Sequence, residues 1–162
     1  MTRKLFAQLL FDEMAINEDI YLVTGDLGYG LWDKIRDAYP SRFFNVGSSE
    51  MAMMGMAIGL AMEGKIPFVY SITPFAIYRP FEMIRNYLDH EKIPVHVVGG
   101  GRDKDYGYLG FSHWSEDDKR IMGSFDNVES TWPQTEEELK QALRYSLTNV
   151  GPSYINLKRW EY

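Results

Sequence analysis

Strand-like runs alternate with helix-like segments along this chain, and the alternation constrains the fold more than any other feature of the sequence. Runs rich in β-branched and aromatic residues predict strands over residues 20–24, 42–46, 66–70, 95–98 and 153–157. Helical periodicity predicts helices over residues 31–39, 50–62, 74–88 and 135–147, and an N-terminal helix with Leu10 and Met14 on its apolar face. Strands joined by such helices form βαβ units. We therefore expect an α/β fold, with a mostly parallel sheet and helices on both faces.

The position of functional residues follows from this architecture. Parallel sheets of this kind bind ligands at the carboxyl ends of their strands. We therefore expect chemistry in the loops that follow Thr24, Val46, Tyr70 and Val98. A longer loop, rich in glycine and polar residues, is predicted over 102–114 at the same edge.

The composition limits the classes of function. The 162 residues suffice for one domain, and 45% hydrophobic with 25% charged residues are the proportions of a soluble globular protein. A net charge of -6 argues against nucleic-acid binding. The absence of cysteine excludes disulfides, thiolate metal sites and a cysteine nucleophile. The N-terminus lacks the apolar core of a signal peptide, so a cytoplasmic location is expected. The longest uncharged apolar stretch, 51–62, is too short to span a bilayer.

The predicted helix over 50–62 carries a single charge, Glu50, in its first turn and is apolar on every side. One interpretation is local: Ser48 or Ser49 caps the helix, and Glu50 complements the helix dipole. The other is that this carboxylate serves a ligand. A helix that is apolar all round is buried all round, so we expect a second chain to cover its outer side.

Several segments resemble the pyrimidine-binding domain of the transketolase family, whose members depend on thiamine diphosphate. The matching segments are Phe44-Asn45-Val46-Gly47-Ser48-Ser49-Glu50-Met51, Gly59-Leu60-Ala61 with Gly64, and the runs 72–79, 107–113 and 151–154. The similarity covers nearly the whole chain. It implies the thiamine diphosphate-binding fold of a pyrimidine domain, as one domain over residues 1–162. It also implies that the family's diphosphate-binding and C-terminal domains are absent from this chain.

The resemblance implies roles for residues around the cofactor. Glu50 matches the glutamate that hydrogen-bonds a pyrimidine ring nitrogen and so helps the cofactor lose the proton of its reactive carbon. Phe75 and Tyr78 match aromatic residues that line the pyrimidine pocket, although core packing is an equal alternative for Phe75. Asp26 and Leu27 match a loop near the cofactor, and the alternative for Asp26 is ordinary turn chemistry.

Further matches concern the substrate. His113 matches a histidine that faces the substrate, and the alternative is an ordinary surface histidine. Arg159 matches an arginine that holds a sugar phosphate, and the alternative is a solvated charge. His96, in the middle of a predicted strand, is expected to be structural. Leu109 and Gly30 stand where the family has a hydroxyl-binding aspartate and a phosphate-binding serine. These departures argue against pentose phosphates as substrates.

The chain lacks the Gly-Asp-Gly motif with which the family binds magnesium and diphosphate. We therefore predict the pyrimidine-binding subunit of a split transketolase-like transferase. It should be inactive until a separately encoded subunit supplies the diphosphate site and Mg²⁺ and completes a heterotetramer. The lone chain is expected to self-associate and to bind thiamine diphosphate weakly or not at all. Two alternatives stay open: a subunit of a thiamine-dependent decarboxylase that acts on a 2-oxo acid rather than a ketose, and a non-catalytic assembly partner.

Overall fold

Six strands form one sheet through the middle of the protein. The computed structural model describes residues 3–159. Its strands are β1 (Ile20–Thr24), β2 (Phe43–Asn45), β3 (Ile66–Ile72), β4 (His96–Gly100), β5 (Glu129–Thr131) and β6 (Ser153–Leu157). The strand order is β2-β1-β3-β4-β6-β5, and every neighbouring pair is parallel. Strands β4 and β6 are buried over their whole length, as strands covered on both faces must be.

Helices cover both faces of the sheet. They are α1 (Arg3–Ile16), α2 (Asp33–Ala38), α3 (Glu50–Met62), α4 (Thr73–Tyr78), α5 (Phe81–Met83), α6 (Asp118–Met122) and α7 (Glu136–Thr148). Leu10 of α1 and Leu143 of α7 belong to the core on one face, and Met54 and Ile58 of α3 belong to the core on the other. The predicted α/β fold, a parallel sheet with helices on both faces, is therefore confirmed. Within residues 3–159, no helix is long and apolar enough to cross a membrane.

The glycines after the fourth predicted strand belong to the strand itself. The prediction was a strand over 95–98 followed by a turn, whereas β4 includes Gly99 and Gly100. A Cβ atom at Gly99 would lie 2.6 Å from Oγ1 of Thr73, and one at Gly100 would collide with the ring of Tyr70. These glycines are required because neighbouring side chains approach the backbone closely, and not because the chain turns.

The predicted helix over 74–88 is divided at Pro80, which cannot continue an α-helix. Helix α4 ends at Tyr78, α5 follows Pro80, and a π-helical segment runs over Ile84–His90. The predicted helix over 31–39 shortens to α2, and the predicted strand over 42–46 shortens to β2. Periodicity does not predict α6 or the edge strand β5, which have only five and three residues.

Candidate active site

Glu50, the first residue of α3, lies against the carboxyl ends of β1 and β3. It is only 1% exposed. Its Oε1 accepts a hydrogen bond from Oγ of Ser71 in β3 at 2.8 Å, and its Oε2 accepts one from Nη1 of Arg79 at 2.6 Å. A Cβ at Gly25, directly after β1, would lie 3.2 Å from Oε1, so the glycine leaves room for the carboxylate. Both oxygens are engaged by donors, which is how a buried charge is tolerated.

Helix capping does not account for this arrangement. Ser49 occupies the N-cap position of α3, but its side chain makes no capping hydrogen bond within the described part of the chain. Glu50 does lie where a helix favours negative charge. Its oxygens, however, are taken up by the strand and by Arg79.

Arg79, Phe75 and His113 continue from Glu50 as a row of contacts. The guanidinium carbon of Arg79 lies 3.8 Å from the centroid of the Phe75 ring, a cation–π contact. The His113 ring meets Phe75 edge to face, with centroids 4.9 Å apart. Phe75 is half-buried, and these partners are functional candidates rather than core aliphatic residues. The structure thus brings Glu50, Phe75 and His113 together, as their predicted roles require.

Tyr78 has a different neighbour. Its residue is 39% exposed, and its phenol hydrogen-bonds with Asp117, the residue before α6. Desolvation and this hydrogen bond raise the pKa of Tyr78. The phenol therefore stays neutral over the whole physiological range. Its predicted place in the pyrimidine pocket stays a prediction.

Asp26 and Leu27 form the loop after β1. Asp26 has a left-handed backbone, with φ of 59°, and its amide donates to Oδ1 of Asn45 at 3.0 Å. Nδ2 of Asn45 donates back to Asp26 at 3.0 Å, and the hydroxyl of Tyr29 donates to the same carboxylate. The hydrogen bond from Tyr29, followed by that from Asn45, lowers the pKa of Asp26. Asp26 thus has the turn role that was its alternative, and it links the loops after β1 and β2. Leu27 packs against the core beneath.

Arg159 folds back onto the loop that carries His113. Its amide donates to Oδ2 of Asp105 at 2.7 Å, and Nη1 donates to the hydroxyl of Tyr108 at 3.1 Å. Its guanidinium carbon lies 4.3 Å from the centroid of Tyr106, whose ring is 6.0 Å from that of His113. A merely solvated charge would make none of these contacts. Arg159 therefore lies at the same edge of the sheet as His113.

The loop over 102–114 contains two short 3-10 turns, Gly107–Leu109 and Phe111–His113. Asp103 and Ser115 pair across its base as an isolated antiparallel bridge, and the amide of Ser115 donates to the Asp103 carbonyl at 2.8 Å. Leu109 is exposed, as are its neighbours Tyr108 and Phe111. The face of this loop is therefore apolar where the family's pattern has a carboxylate.

A buried polar network supports the loop from below. Oδ2 of Asp118, the first residue of α6, accepts hydrogen bonds at 2.8 Å each from side chains of Trp132, Tyr154 and Asn156. Burial raises the pKa of Asp118, against the opposing effect of the Trp132 and Tyr154 hydrogen bonds. Nε of the buried Arg102 donates to Oδ1 of Asn156 at 2.8 Å. The first residue of the loop is thereby fixed to β6.

Three site neighbours were not assigned from the sequence: Ser71, Arg79 and Arg3. Ser71 is the only small polar residue of β3, and Arg79 is the first charge after Lys65; both facts were available as signals. Nη1 of Arg3 donates to the hydroxyls of Tyr70 and Tyr106, at 3.1 and 3.4 Å. No sequence pattern predicts these long-range contacts.

His96 lies at the opposite end of the sheet, as expected of a structural residue. Its Nδ1 is 2.9 Å from Oγ of Ser153, and burial lowers its pKa to about 3. The ring is therefore neutral at physiological pH. Among residues 3–159, no group of three or more His, Asp or Glu side chains could hold a metal ion.

Comparison with known proteins gives one consistent result. The family model for the pyrimidine-binding domain of transketolase matches residues 1–162. One of the two kinds of chain in the apulose-4-phosphate transketolase of Actinobacillus succinogenes is 34% identical over 119 residues, which are 74% of this chain and 38% of that protein. The putative transketolase C-terminal section of Methanocaldococcus jannaschii is 32% identical over 158 residues, covering 97% of this chain and 50% of that protein. The chain thus spans half or less of the length of these relatives.

Solved structures agree with the sequence comparison. A split gene transketolase, solved as an inactive beta4 tetramer, superposes with a TM-score of 0.84 at 29% identity, covering 97% of this chain and 51% of that one. The transketolase of Campylobacter jejuni shares the fold, with a TM-score of 0.87 at 21% identity, over 98% of this chain and 26% of that one. The chain belongs to the transketolase pyrimidine-binding domain family, a thiamine diphosphate-dependent family.

Proposed function

We propose that this chain is the pyrimidine-binding subunit of a split transketolase-like transferase, which moves a two-carbon ketol unit between sugar-type substrates. The observation that carries the proposal is the buried Glu50 carboxylate beside the Phe75 ring, at the carboxyl edge of a sheet of this family. The names of two similar proteins, a transketolase subunit and a split gene transketolase, support a separately encoded partner.

The residues present fit the aminopyrimidine half of thiamine diphosphate. A planar heterocycle needs a flat apolar surface and a hydrogen-bonding group at its rim, and Phe75 and Glu50 offer these next to each other. Ser71 fixes one carboxylate oxygen of Glu50 and leaves the other for a ring nitrogen. When bound, the cofactor supplies the carbanion chemistry. Glu50 holds the proton contact at the pyrimidine ring, and its 1% exposure keeps water from that contact.

His113 and Arg159 are the residues proposed for the substrate. His113 lies against Phe75 and within the loop that Arg159 contacts through Tyr106, so both face the space next to the pyrimidine site. A planar guanidinium suits a phosphate group on the substrate. Leu109 offers no hydrogen bond to a sugar hydroxyl, so we propose substrates other than pentose phosphates.

The partner is proposed to be a diphosphate-binding subunit that brings Mg²⁺ and assembles with this chain as a heterotetramer. The outer side of α3 exposes Met51, Met56 and Met62, and the complete burial predicted for this helix requires another chain. A closed, water-poor site also requires walls that this sheet alone does not supply. We further propose that the domain over 1–162 is inactive by itself and self-associates through this face.

Reconstitution tests the proposal. The chain is mixed with the diphosphate-binding chain encoded beside it, thiamine diphosphate and Mg²⁺, and ketol transfer is measured against CO₂ release from 2-oxo acids. Glu50→Gln should lower turnover by at least about a hundredfold, because it removes a proton-transferring carboxyl. Glu63→Gln, at the exposed other end of α3, is the matched control and should leave turnover within about twofold.

Each result has a distinct meaning. Full activity in Glu50→Gln contradicts the role proposed for Glu50. Release of CO₂ without ketol transfer supports the decarboxylase alternative. Tight assembly without either reaction supports the non-catalytic alternative.

A further inference from the structure

Arg79 makes the two contacts that the pyrimidine ring needs. Its Nη1 donates to Oε2 of Glu50 at 2.6 Å, and its guanidinium carbon lies 3.8 Å from the Phe75 centroid. A guanidinium is planar and carries N–H donors at its rim. It therefore stacks and hydrogen-bonds in the same way as an aminopyrimidine ring would.

The two groups cannot occupy this place together. A ring that stacks on the same face of Phe75 and reaches Oε2 of Glu50 needs the volume that the Arg79 guanidinium fills. Oε1 is no substitute, because it is held by Ser71 and lies close to the backbone of Gly25. Binding of the ring thus requires Arg79 to move away.

Arg79 is placed so that it can move. Its side chain is 45% exposed, whereas that of Glu50 is 1% exposed. The arginine directly follows α4 and precedes Pro80, where the helix is interrupted. A half-exposed ion pair and a half-exposed cation–π contact each contribute little, so water can replace them at small cost to Arg79. The cost of separation falls on Glu50, which loses the partner of a buried charge.

We propose that Arg79 competes with the aminopyrimidine ring for Glu50 and Phe75, and so lowers the affinity of the free subunit for the cofactor. This inference rests on the proposed function. In the free subunit, Arg79 satisfies the buried carboxylate, and in the assembled enzyme the ring takes its place. The competition provides a reason for the cofactor to bind after the subunits meet, because the partner's contacts with the diphosphate would then offset the displacement of Arg79.

Calorimetric titration of the isolated chain with the free aminopyrimidine half of thiamine tests the competition. Arg79→Ala should bind this probe about tenfold more tightly than the wild type, because the competing cation is gone. Arg79→Gln, which keeps the stem, should show a gain of the same sign and guards against loss of packing. Arg85→Ala removes an equal charge from an exposed site that bonds Asn86, and it should stay within about twofold.

A second measurement reports on Arg79 itself. The side-chain N–H resonance of Arg79, assigned by its absence from Arg79→Ala, should lose its protected character in the wild type at saturating probe. Equal binding by the wild type and Arg79→Ala, no binding by Arg79→Ala, or a resonance unchanged at saturation overturns the proposal. Weaker binding by Arg79→Ala also overturns it, since Arg79 would then be a ligand of the ring. The proposed function fails separately, if Glu50→Gln binds the probe as tightly as the wild type.

Discussion

Two buried carboxylates begin helices in this protein, Glu50 in α3 and Asp118 in α6, and they are held in different ways. Glu50 accepts hydrogen bonds from a buried serine and from an arginine whose side chain is 45% exposed. Asp118 accepts three, each 2.8 Å long, from the side chains of Trp132, Tyr154 and Asn156. The donors to Asp118 are neutral and lie inside the core or at its border, whereas one donor to Glu50 is a surface cation.

The difference separates a carboxylate that can exchange its partner from one that cannot. Removing any donor from Asp118 leaves a buried group unsatisfied with no solvent to replace it. The same network reaches the first residue of α4, because Nδ2 of Asn156 donates to Oγ1 of Thr73 at 3.2 Å. Helix α4 is thus fixed at its start by the Asp118 network, while Arg79, after its last residue, stays half-exposed.

The largest effect is expected at Asp118. Asp118→Ala should lower the free energy of unfolding by about 3 kcal/mol, because it leaves three buried donors without an acceptor. Urea denaturation followed by circular dichroism measures the change. Asp126→Ala, at an exposed position, is the control and should stay within about 0.5 kcal/mol. A loss below about 1 kcal/mol for Asp118→Ala would contradict the rigid role of this network.

The contrast between buried His96 and half-buried His113 extends the comparison to pH. The folded-state pKa of His96 is lowered from 6.5 to about 3, so the unfolded chain binds more protons between these values. Stability from this residue is present above pH 6.5 and is lost as pH falls through the window. The loss between about pH 7 and about pH 5 should be about 2 kcal/mol. Urea denaturation at both pH values should show this loss in the wild type and not in His96→Gln. An equal loss in both proteins would assign it to other groups.

A matched pair of glycine substitutions compares the tolerance of the two carboxylate sites. Gly99→Ala places a Cβ 2.6 Å from Oγ1 of Thr73 and 3.1 Å from the hydroxyl of Tyr154, within the Asp118 network. It should lower the free energy of unfolding by about 1 to 2 kcal/mol. Gly25→Ala places a Cβ 3.2 Å from Glu50, which can shift with Arg79. It should cost less than about 1 kcal/mol. Thermal unfolding in parallel measures both, and the reverse order would refute the comparison.

The smallest effect is expected at Ser71, the buried donor to Glu50. Ser71→Ala should lower the free energy of unfolding by about 1 kcal/mol, because Arg79 still satisfies the other carboxylate oxygen. Ser48→Ala, at an exposed position, should have no measurable effect. Chemical denaturation distinguishes them. A loss of about 3 kcal/mol at Ser71 would mean that Glu50 is held as rigidly as Asp118.

Elements with a strong periodic or compositional signal could be predicted from the sequence. The bounds of β1, α3 and β6 are confirmed, and α7 begins one residue later than predicted because Thr135 is its N-cap and accepts a hydrogen bond from the Glu138 amide. The strand β5 could not be predicted, since three polar residues at a sheet edge show no apolar alternation. The extension of β4 through Gly99 depends on the approach of Thr73, which is distant in sequence.

The candidate site divides in the same way. Glu50 stands out because it is the only charge in an apolar helix, and the resemblance adds Phe75 and His113, which the structure places in one row. Arg79 could not be assigned, because its relation to Glu50 depends on a break in the helix at Pro80 and on side-chain geometry. Sequence patterns report which residues are apolar or charged, but not which charges meet.

The antiparallel bridge between Asp103 and Ser115 has a consequence for protein engineering. The hydrogen bond from the Ser115 amide to the Asp103 carbonyl joins the two ends of the segment 104–114. Because both ends are closed at the base, the conformational entropy of the segment is largely independent of the sheet below. Segments of other lengths and composition can be grafted between these two anchors without altering strand register. Libraries confined to 104–114 are thus a direct route to new acceptor selectivity.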